Sequence, residues 1–251
     1  MSRIVLISAF MVLAAAVAPL RLYSQQNLFN IPSGDITPKG TYFYQHQVNV
    51  YGTDYMESKS HFVWGLGNGF DAGVNLINVK INPTMNTRFF RDNTDPTSPA
   101  APLLLGTLQK QFELGEQWEL NIGTQAGLNF RRTQVSNNPF AHFSYGLVRW
   151  DWHHALRITG GVYATNNQFV GIGTNTGIMA GFELPLTRDI YLMGDFVSGN
   201  HPSAVAVMGG MVNLSKRIQL CAGYLMPSPS SPAKQGVVFE LNVLGFDAYE
   251  E

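Results

Sequence analysis

The chain has 251 residues with a formal net charge of −1 at pH 7, which excludes the strongly basic surface that general nucleic-acid binding requires. Its 45% hydrophobic and 13% charged residues could build a large core, yet its mean hydropathy of −0.01 is that of a soluble protein. A transmembrane β-barrel is compatible with both values, because half of each strand is polar. The 25 glycines and 12% aromatic residues favour β structure over helix.

The first 24 residues have the features of a secretory signal peptide. Arg3 provides a short basic region, residues 4–17 form an apolar run, and small residues follow. We expect cleavage after Ser24, because a cut after Ala18 would leave Pro19 first in the mature chain. Beyond the signal, no run reaches the roughly 18 apolar residues that a membrane helix needs.

Residues 25–39 follow the signal peptide and are mostly polar. They contain Pro32 and Pro38, neither of which can donate a backbone hydrogen bond. We interpret this segment as a lead-in to the fold or as a short plug.

The stretch 118–130 carries the clearest strand pattern. Its even positions run from Trp118 through apolar residues to Phe130, whereas its odd positions are Glu, Asn, Gly and Gln. A period of two separates these residues onto opposite faces only if the backbone is extended. A strand of about ten residues with one apolar face edged by aromatics is typical of a transmembrane β-barrel.

About twelve strands follow one another along the chain. They are predicted at residues 40–51, 58–66, 70–81, 103–114, 118–130, 140–150, 154–165, 173–186, 190–197, 204–214, 218–225 and 236–246. Tight links at 67–69, 115–117, 151–153, 187–189 and 215–217 alternate with longer ones at 52–57, 82–102, 131–139, 166–172, 198–203 and 226–235. A soluble β-sandwich, the alternative fold, does not need this alternation.

The signal peptide, the period-two strands and the alternating links resemble those of Gram-negative bacterial outer-membrane β-barrel proteins. The resemblance covers nearly all of the mature chain and concerns architecture, not a sequence motif. It implies an all-β fold, a closed antiparallel up-and-down transmembrane β-barrel of about 12 strands at 40–246. It also implies that residues 25–39 and a tail at 247–251 lie in the periplasm or, for 25–39, plug the barrel.

Closure follows from the cost of unpaired backbone groups in hydrocarbon, which is several kcal/mol each, so strands 40–51 and 236–246 are expected to pair. The implied partners are outer-membrane lipids, lipopolysaccharide and the barrel-assembly machinery. In one respect the chain departs from the pattern. Many such barrels end on an aromatic residue, whereas here five residues follow Phe246.

The inward faces of the strands are predicted to be polar and to carry both charges. The predicted lumen-lining residues are Gln109, Gln111, Glu113, Glu119, Asn121, Gln125, Asn129, Arg149, Arg157, Glu183, Asp195 and Glu240. Pairing Leu114 with Trp118 across their turn places Glu113 opposite Glu119, so a cation or a shared proton is expected nearby. Arg149 and Arg157 are the candidate cations. These charges predict either a constriction that selects solutes or a closed network in a plugged barrel.

His142 and Ser144 have the His-x-Ser spacing of outer-membrane phospholipases and lipid A deacylases. Two residues apart on a strand, they share one face. A catalytic triad also needs a third residue that orients the imidazole. Two registers of strands six and seven place Tyr163 and Gly161, or Ala164 and Val162, opposite the pair. Neither supplies that residue, so His142 and Ser144 remain weak catalytic candidates.

The external loops carry a basic cluster of four arginines: Arg88, Arg91, Arg131 and Arg132. Such a cluster could bind lipopolysaccharide phosphates or attract anionic solutes. Alternatively, the 82–102 loop folds inward and Phe89 and Phe90 form a constriction. The adjacent His153 and His154 point in different directions, so no metal site is predicted.

The most favoured function is a passive channel or facilitator for small polar solutes, without a cofactor and without nucleic-acid binding. The alternatives are a plugged structural or adhesive barrel and a lipid hydrolase that uses His142 and Ser144. The only cysteine, Cys221, lies in a predicted strand. It therefore predicts a small buried or lipid-facing residue, not a nucleophile, and no intrachain disulfide.

Overall fold

The computed structural model of the chain describes residues 27–82, 97–129, 139–153 and 155–248. Within these ranges, twelve antiparallel strands form a closed barrel in which neighbours in sequence pair and β1 pairs with β12. The strands are β1 (Tyr42–Tyr51), β2 (Tyr55–Gly67), β3 (Phe70–Ile81), β4 (Leu103–Glu113), β5 (Trp118–Asn129), β6 (Phe140–Trp152), β7 (Leu156–Thr165), β8 (Thr176–Pro185), β9 (Ile190–Val197), β10 (Val205–Ser215), β11 (Ile218–Pro227) and β12 (Gly236–Leu244). A single-turn helix, α1 (Asn167–Val170), follows β7. The predicted fold class and closing pair are therefore confirmed.

The two ends of the barrel differ in their connections. At one end, which we call the short-turn end, β2 and β3, for example, are joined by residues 68–69 and β10 and β11 by 216–217. At the other, the long-loop end, residues 166–175, 198–204 and 228–235 form extended connections. The link between β1 and β2 is an exception, because only residues 52–54 separate Tyr51 from Tyr55.

That tight β1–β2 turn corrects the predicted link at 52–57. Gly52 adopts a φ of 62°, a left-handed conformation that glycine reaches without steric cost and that tight hairpins require. The predicted strand began at Ser58 and therefore missed only residues 55–57 of β2. Two outward positions in this part of β2, Ser58 and Ser60, are polar. Both hydroxyls contact His46, which is also outward on β1, at 3.5 and 2.9 Å.

The outer surface of the barrel is mostly apolar. Large hydrophobic side chains such as Leu108, Ile122 and Val162 are exposed on it, whereas lumen-facing Asn121 and Asn242 are fully buried. This arrangement is the reverse of a soluble protein and suits a hydrocarbon surrounding. Several aromatic side chains lie outward near the short-turn end: Tyr42, Phe70, Phe112, Trp118, Trp150 and Trp152. No helix in the described ranges is long and apolar enough to span a membrane.

Residues 27–37 lie inside the barrel, and we call residues 27–39 the lumen segment. Leu28, Phe29 and Ile31 are buried and pack with inward-facing side chains in the largest hydrophobic cluster of the described residues. Two strand glycines make room for them. A Cβ at Gly181 would collide with Leu28, and one at Gly223 would come within 3.0 Å of Phe29.

The last described residues cover part of the short-turn end. After β12 ends at Leu244, the Ala248 amide donates to the Lys216 carbonyl at 2.7 Å, and Phe246 packs beside Ala248. β12 therefore ends two residues earlier than the predicted strand at 236–246. The predicted signal peptide at 1–24, residues 25–26 and residues 249–251 lie outside the described residues.

Candidate functional site

The predicted lumen-lining residues all lie on described strands, and most are buried. In β4 and β5, Glu113 lies opposite Glu119, the register that the turn length predicts. Glu113 reaches the exposed rim of the short-turn end, whereas Glu119 turns inward to a hydrogen bond of 2.6 Å from Gln111. The two carboxylates therefore have different surroundings, and only Glu119 takes part in the interior network.

A ladder of charges crosses four strands at the short-turn end. Glu119 is opposite Arg149 in the β5–β6 register, and the two form an ion pair of 2.5 Å. Arg157 is opposite both Asp151 on β6 and Glu183 on β8, at 3.2 and 3.8 Å. Cross-strand neighbours on one face are close enough to pair directly, so strand register alone builds this ladder.

Asp35 of the lumen segment joins the ladder at its centre. Its two carboxylate oxygens form ion pairs with Arg149 and, at 3.5 Å, with Arg157. We call Asp35, Glu119, Arg149 and Arg157 the arginine cluster. Burial by itself would raise the pKa of Asp35, but the two guanidinium groups outweigh burial and hold the pKa below its usual value. Asp35 is therefore a charged bridge between the lumen segment and the wall.

A second carboxylate holds the lumen segment farther along the barrel. Asp195 on β9 accepts hydrogen bonds from three consecutive backbone amides, those of Phe29, Asn30 and Ile31. The Phe29 and Ile31 bonds measure 3.0 and 3.1 Å. Backbone amides that converge on one carboxylate give strong charge-assisted bonds, and Asp195 is buried with them.

The carbonyls of the lumen segment are also bound by side chains from the wall. Thr159 donates to the Ser33 carbonyl at 3.1 Å, Gln111 to Gly34 at 2.9 Å, and Gln109 to Asp35 at 3.1 Å. The amide of Thr37 donates to Asp71 at 3.1 Å. Two of the predicted lumen-lining side chains, Gln109 and Gln111, therefore bind the backbone of the chain itself.

A cavity of about 390 Å³ lies between the lumen segment and the long-loop end, and we call it the cup. Its floor includes Asn27, Phe29 and Asn30. Its charged lining residues are Lys59, Lys80, Lys234 and Glu57, and its aromatic ones are Tyr51, Tyr55, Phe143 and Phe169, besides Phe29. The volume lies in the range of about 300–1,000 Å³ that is usual for small-molecule sites.

His142 and Ser144 lie on the outward face of β6 and are not bonded to each other in any described contact. The Ser144 hydroxyl pairs with Thr124 at 2.9 Å, and the His142 ring stacks on Phe140 with centroids 6.0 Å apart. The weak catalytic pair therefore faces the lipid side of the wall, and each member has another partner.

Both predicted registers of β6 and β7 are wrong. β6 continues to Trp152, which pairs with Leu156, so Ser144 is opposite Ala164. The sequence placed the turn too early because Asp151 and Trp152 read as turn residues. The true register brings Asn166 beside His142, a neighbour that the sequence missed.

Asn166 does not orient the imidazole of His142. Its Oδ1 caps α1 by accepting from the Phe169 amide at 3.2 Å and also accepts from the His142 backbone amide at 3.4 Å. Its Nδ2 donates to the Phe140 carbonyl at 2.9 Å. The amide is thus engaged by backbone groups, and the arrangement does not form a charge-relay geometry.

The remaining predicted sites provide no further functional groups within the described part of the chain. The four arginines of the external basic cluster, Arg88, Arg91, Arg131 and Arg132, lie outside them, as do Phe89 and Phe90. Among the described side chains, no group of three or more His, Cys, Asp or Glu could hold a metal ion. Cys221 is buried on the inward face of β11.

Comparison with known proteins adds little to this geometry. No protein-family model matches the chain, and no curated protein matches its sequence. Among solved structures, outer membrane phospholipase A from Escherichia coli has a TM-score of 0.45 and 10% identity, over 84% of this chain and 94% of that chain. A likeness this distant says nothing about activity. The closed barrel with an apolar exterior nevertheless defines the class, an outer-membrane-type β-barrel.

Proposed function

We propose that this chain is an outer-membrane barrel whose lumen is closed by its own N-terminal segment. The observation that carries the proposal is Asp35, which joins the lumen segment to two largely buried arginines of the wall. Of the functions considered from the sequence, this supports the plugged barrel over an open passive channel. Two carboxylates, those of Asp35 and Asp195, form the contacts that hold this short segment against the wall.

The apolar exterior supports location in a membrane, and the strand architecture supports the outer membrane of a Gram-negative bacterium. In such barrels the short turns face the periplasm and the longer loops face outward. The lumen segment then enters from the periplasmic side, since β1 begins there at Tyr42. The cup opens toward the outside of the cell.

The contacts also indicate how firmly the lumen is closed. Withdrawing the segment would separate Asp35 from Arg149 and Arg157, while these arginines would keep their pairs with the wall carboxylates. Loss of the Asp35 ion pairs therefore disfavours an open state. The amide bonds to Asp195 reduce the open fraction further.

A passive channel requires a state in which the lumen segment has left its place. The polar lining that predicted a channel would then face water, including Gln109, Gln111 and Asn121. We therefore retain passage of small polar solutes as the second candidate function, restricted to this displaced state.

Single-channel recording of the refolded mature protein in a planar bilayer tests the proposal. We expect wild type to show no sustained current and a variant lacking residues 27–38 to conduct, because removing the segment empties the lumen. Should the deletion fail to fold, the double variant Asp35→Asn and Asp195→Asn should show brief openings instead. Steady conductance in wild type equal to that of the deletion would overturn the proposal.

A matched control separates closure of the lumen from a general change of charge. Asp54 forms an ion pair of 2.5 Å with Lys234 at the long-loop end, where both side chains are more than half exposed. Asp54→Asn removes the same charge as Asp35→Asn but leaves the lumen segment untouched. It is expected to keep the barrel closed.

A further inference from the structure

The cup contains more positive than negative charge. Its described lining includes three lysines and one glutamate. Glu57 lies opposite Lys80 in the β2–β3 register, and its carboxylate is 3.8 Å from the ammonium of Lys59. Glu57 therefore faces two of the lysines, and Asp54 pairs with the third, Lys234. One positive charge remains in excess, so an anion entering the cup would meet a net positive wall.

An aromatic surface lies beside these cations. The ring of Tyr55 has the ammonium of Lys80 at 5.5 Å and that of Lys234 at 5.9 Å from its centroid. Tyr51 stacks on Tyr55 with centroids 4.7 Å apart. Two stacked rings with ammonium groups over one of them can contact the carbon skeleton of a ligand while the cations bind its acidic group.

The remaining polar lining consists mainly of carboxamides. Those that line the cup are Asn27, Asn30, Gln47, Asn49, Asn78 and Gln125. A carboxamide both donates and accepts, so it suits hydroxyl groups, which do the same. The cavity of about 390 Å³ has room for one small molecule and not for a polymer.

We infer that the cup is a binding site for a small hydroxylated organic anion, about the size of a sugar acid or a sugar phosphate. Lys59 and Lys80 contact its acidic group, Tyr55 packs against its carbon skeleton, and the carboxamides bind its hydroxyls. The anion enters from the long-loop end and stops at the floor formed by Phe29 and Asn30. The site requires the lumen segment to lie where the structure places it, because Phe29 and Asn30 form the floor. It does not require the segment to block ion flow, and so the inference goes beyond the proposed function.

Saturation-transfer NMR and calorimetry on the refolded mature protein in detergent micelles test the inference with four probes. The probes are glucuronate, glucose 6-phosphate, glucose and glucosamine. We expect at least one of the two anions to bind about tenfold or more tightly than neutral glucose, and cationic glucosamine to bind most weakly. The anion preference should shrink as ionic strength rises.

Two pairs of variants locate the site. Lys80→Gln should weaken binding of the anions about tenfold or more and leave glucose unchanged, whereas Lys110→Gln, at the short-turn end, should change neither. Tyr55→Leu should weaken all bound sugars, and Tyr55→Phe should retain them because the ring remains. Two results would overturn the inference: glucose binding as tightly as both anions, or equal losses in Lys80→Gln and Lys110→Gln.

Readouts of binding and conductance keep the two proposals separate. If wild type conducts but the anions bind and depend on Lys80, then closure of the lumen fails and the inference stands. If the barrel is closed but no anion exceeds glucose in affinity, the inference fails and closure stands.

Discussion

Both halves of the lumen are lined by polar and charged side chains, but the lumen segment fills the short-turn half and the cup occupies the long-loop half. At the short-turn end, the arginine cluster is largely buried, and its charges pair with the wall or with the lumen segment. At the long-loop end, lysines and carboxamides surround the cup. The polar side chains that point inward therefore have two kinds of surroundings. In the short-turn half they bind the chain itself, and in the long-loop half they line a cavity.

This difference shows what a polar strand face can and cannot reveal. Alternation along a strand determines which side chains point inward. It does not determine whether those side chains meet water, a solute or another part of the chain. In this barrel the lumen segment makes that choice, because its backbone occupies donors and acceptors that would otherwise be open.

The largest expected effect on stability comes from the arginine cluster. Arg149→Met keeps most of the side-chain volume but leaves Asp35 and Glu119 without their shared cation. We expect the free energy of unfolding to fall by about 3–5 kcal/mol, since a buried charge that loses its partner is strongly destabilising. Urea unfolding in micelles, followed by the fluorescence of the stacked Trp118 and Trp150, measures the change.

The matched control is Arg217→Met at the same end of the barrel. Arg217 pairs with Asp247 at 2.8 Å, but both side chains are exposed to a large extent. Exposed pairs contribute little because water screens them, so the free energy of unfolding should hardly change. Equal losses in Arg149→Met and Arg217→Met would show that the arginine cluster is not a special feature of the short-turn half.

A smaller effect is expected from pH at the long-loop end. His201 is fully buried in the 198–204 connection, where its Nε2 lies 2.8 Å from the Tyr163 hydroxyl. That hydroxyl donates to the Ser198 carbonyl, and Nδ1 has no hydrogen-bond partner among the described residues. Burial lowers the pKa of His201 from 6.5 to about 4, because a second proton on the ring would be poorly solvated.

The sign of the pH effect follows from this lowered pKa. Between pH 6.5 and about 4, the unfolded ring binds a proton and the folded ring does not, so the contribution of His201 to stability falls as pH falls through this window. Hydrogen exchange of the 198–204 amides should be faster at pH 5 than at pH 7.5, after correction for intrinsic rates. The difference should largely disappear in His201→Gln. Unchanged protection in wild type would contradict the prediction.

The smallest expected effect is at the outward hydroxyl of Ser144. Because Ser144 pairs with Thr124 and Asn166 is engaged by backbone groups, we expect neither wild type nor Ser144→Ala to hydrolyse phospholipid or lipid A measurably. Release of fatty acid from mixed micelles provides the assay. An active wild type with an inactive Ser144→Ala would instead establish the lipid hydrolase and assign a function to the outer wall.

The sequence predicted the barrel better than it predicted the contacts inside it. The twelve strands, the β1–β12 closure and the Glu113–Glu119 register all follow from local alternation and turn length. The β6–β7 register was not predicted correctly, because Asp151 and Trp152 at the end of β6 resemble turn residues. The nearer of the two predicted registers differs from the true one by two residues, so Asn166 was not recognised as a neighbour of His142.

The sequence did not decide whether the lumen segment is a lead-in to the barrel or a plug inside it. Its sequence has the prolines and polar residues of either, and nothing local distinguishes them. One signal was present, since Arg149 and Arg157 were identified as cations near a glutamate pair. Asp35 was not connected with them, because the contact spans more than one hundred positions of the chain.

The sequence by itself determined the strands, their inward and outward faces and the need for closure, because each depends on neighbouring residues and on the cost of unpaired backbone in lipid. Only the tertiary structure decided that the short-turn half is filled and the long-loop half holds a cup. That outcome depends on where one irregular segment lies. Its place is set by distant carboxylates, by two arginines and by the absence of side chains at Gly181 and Gly223.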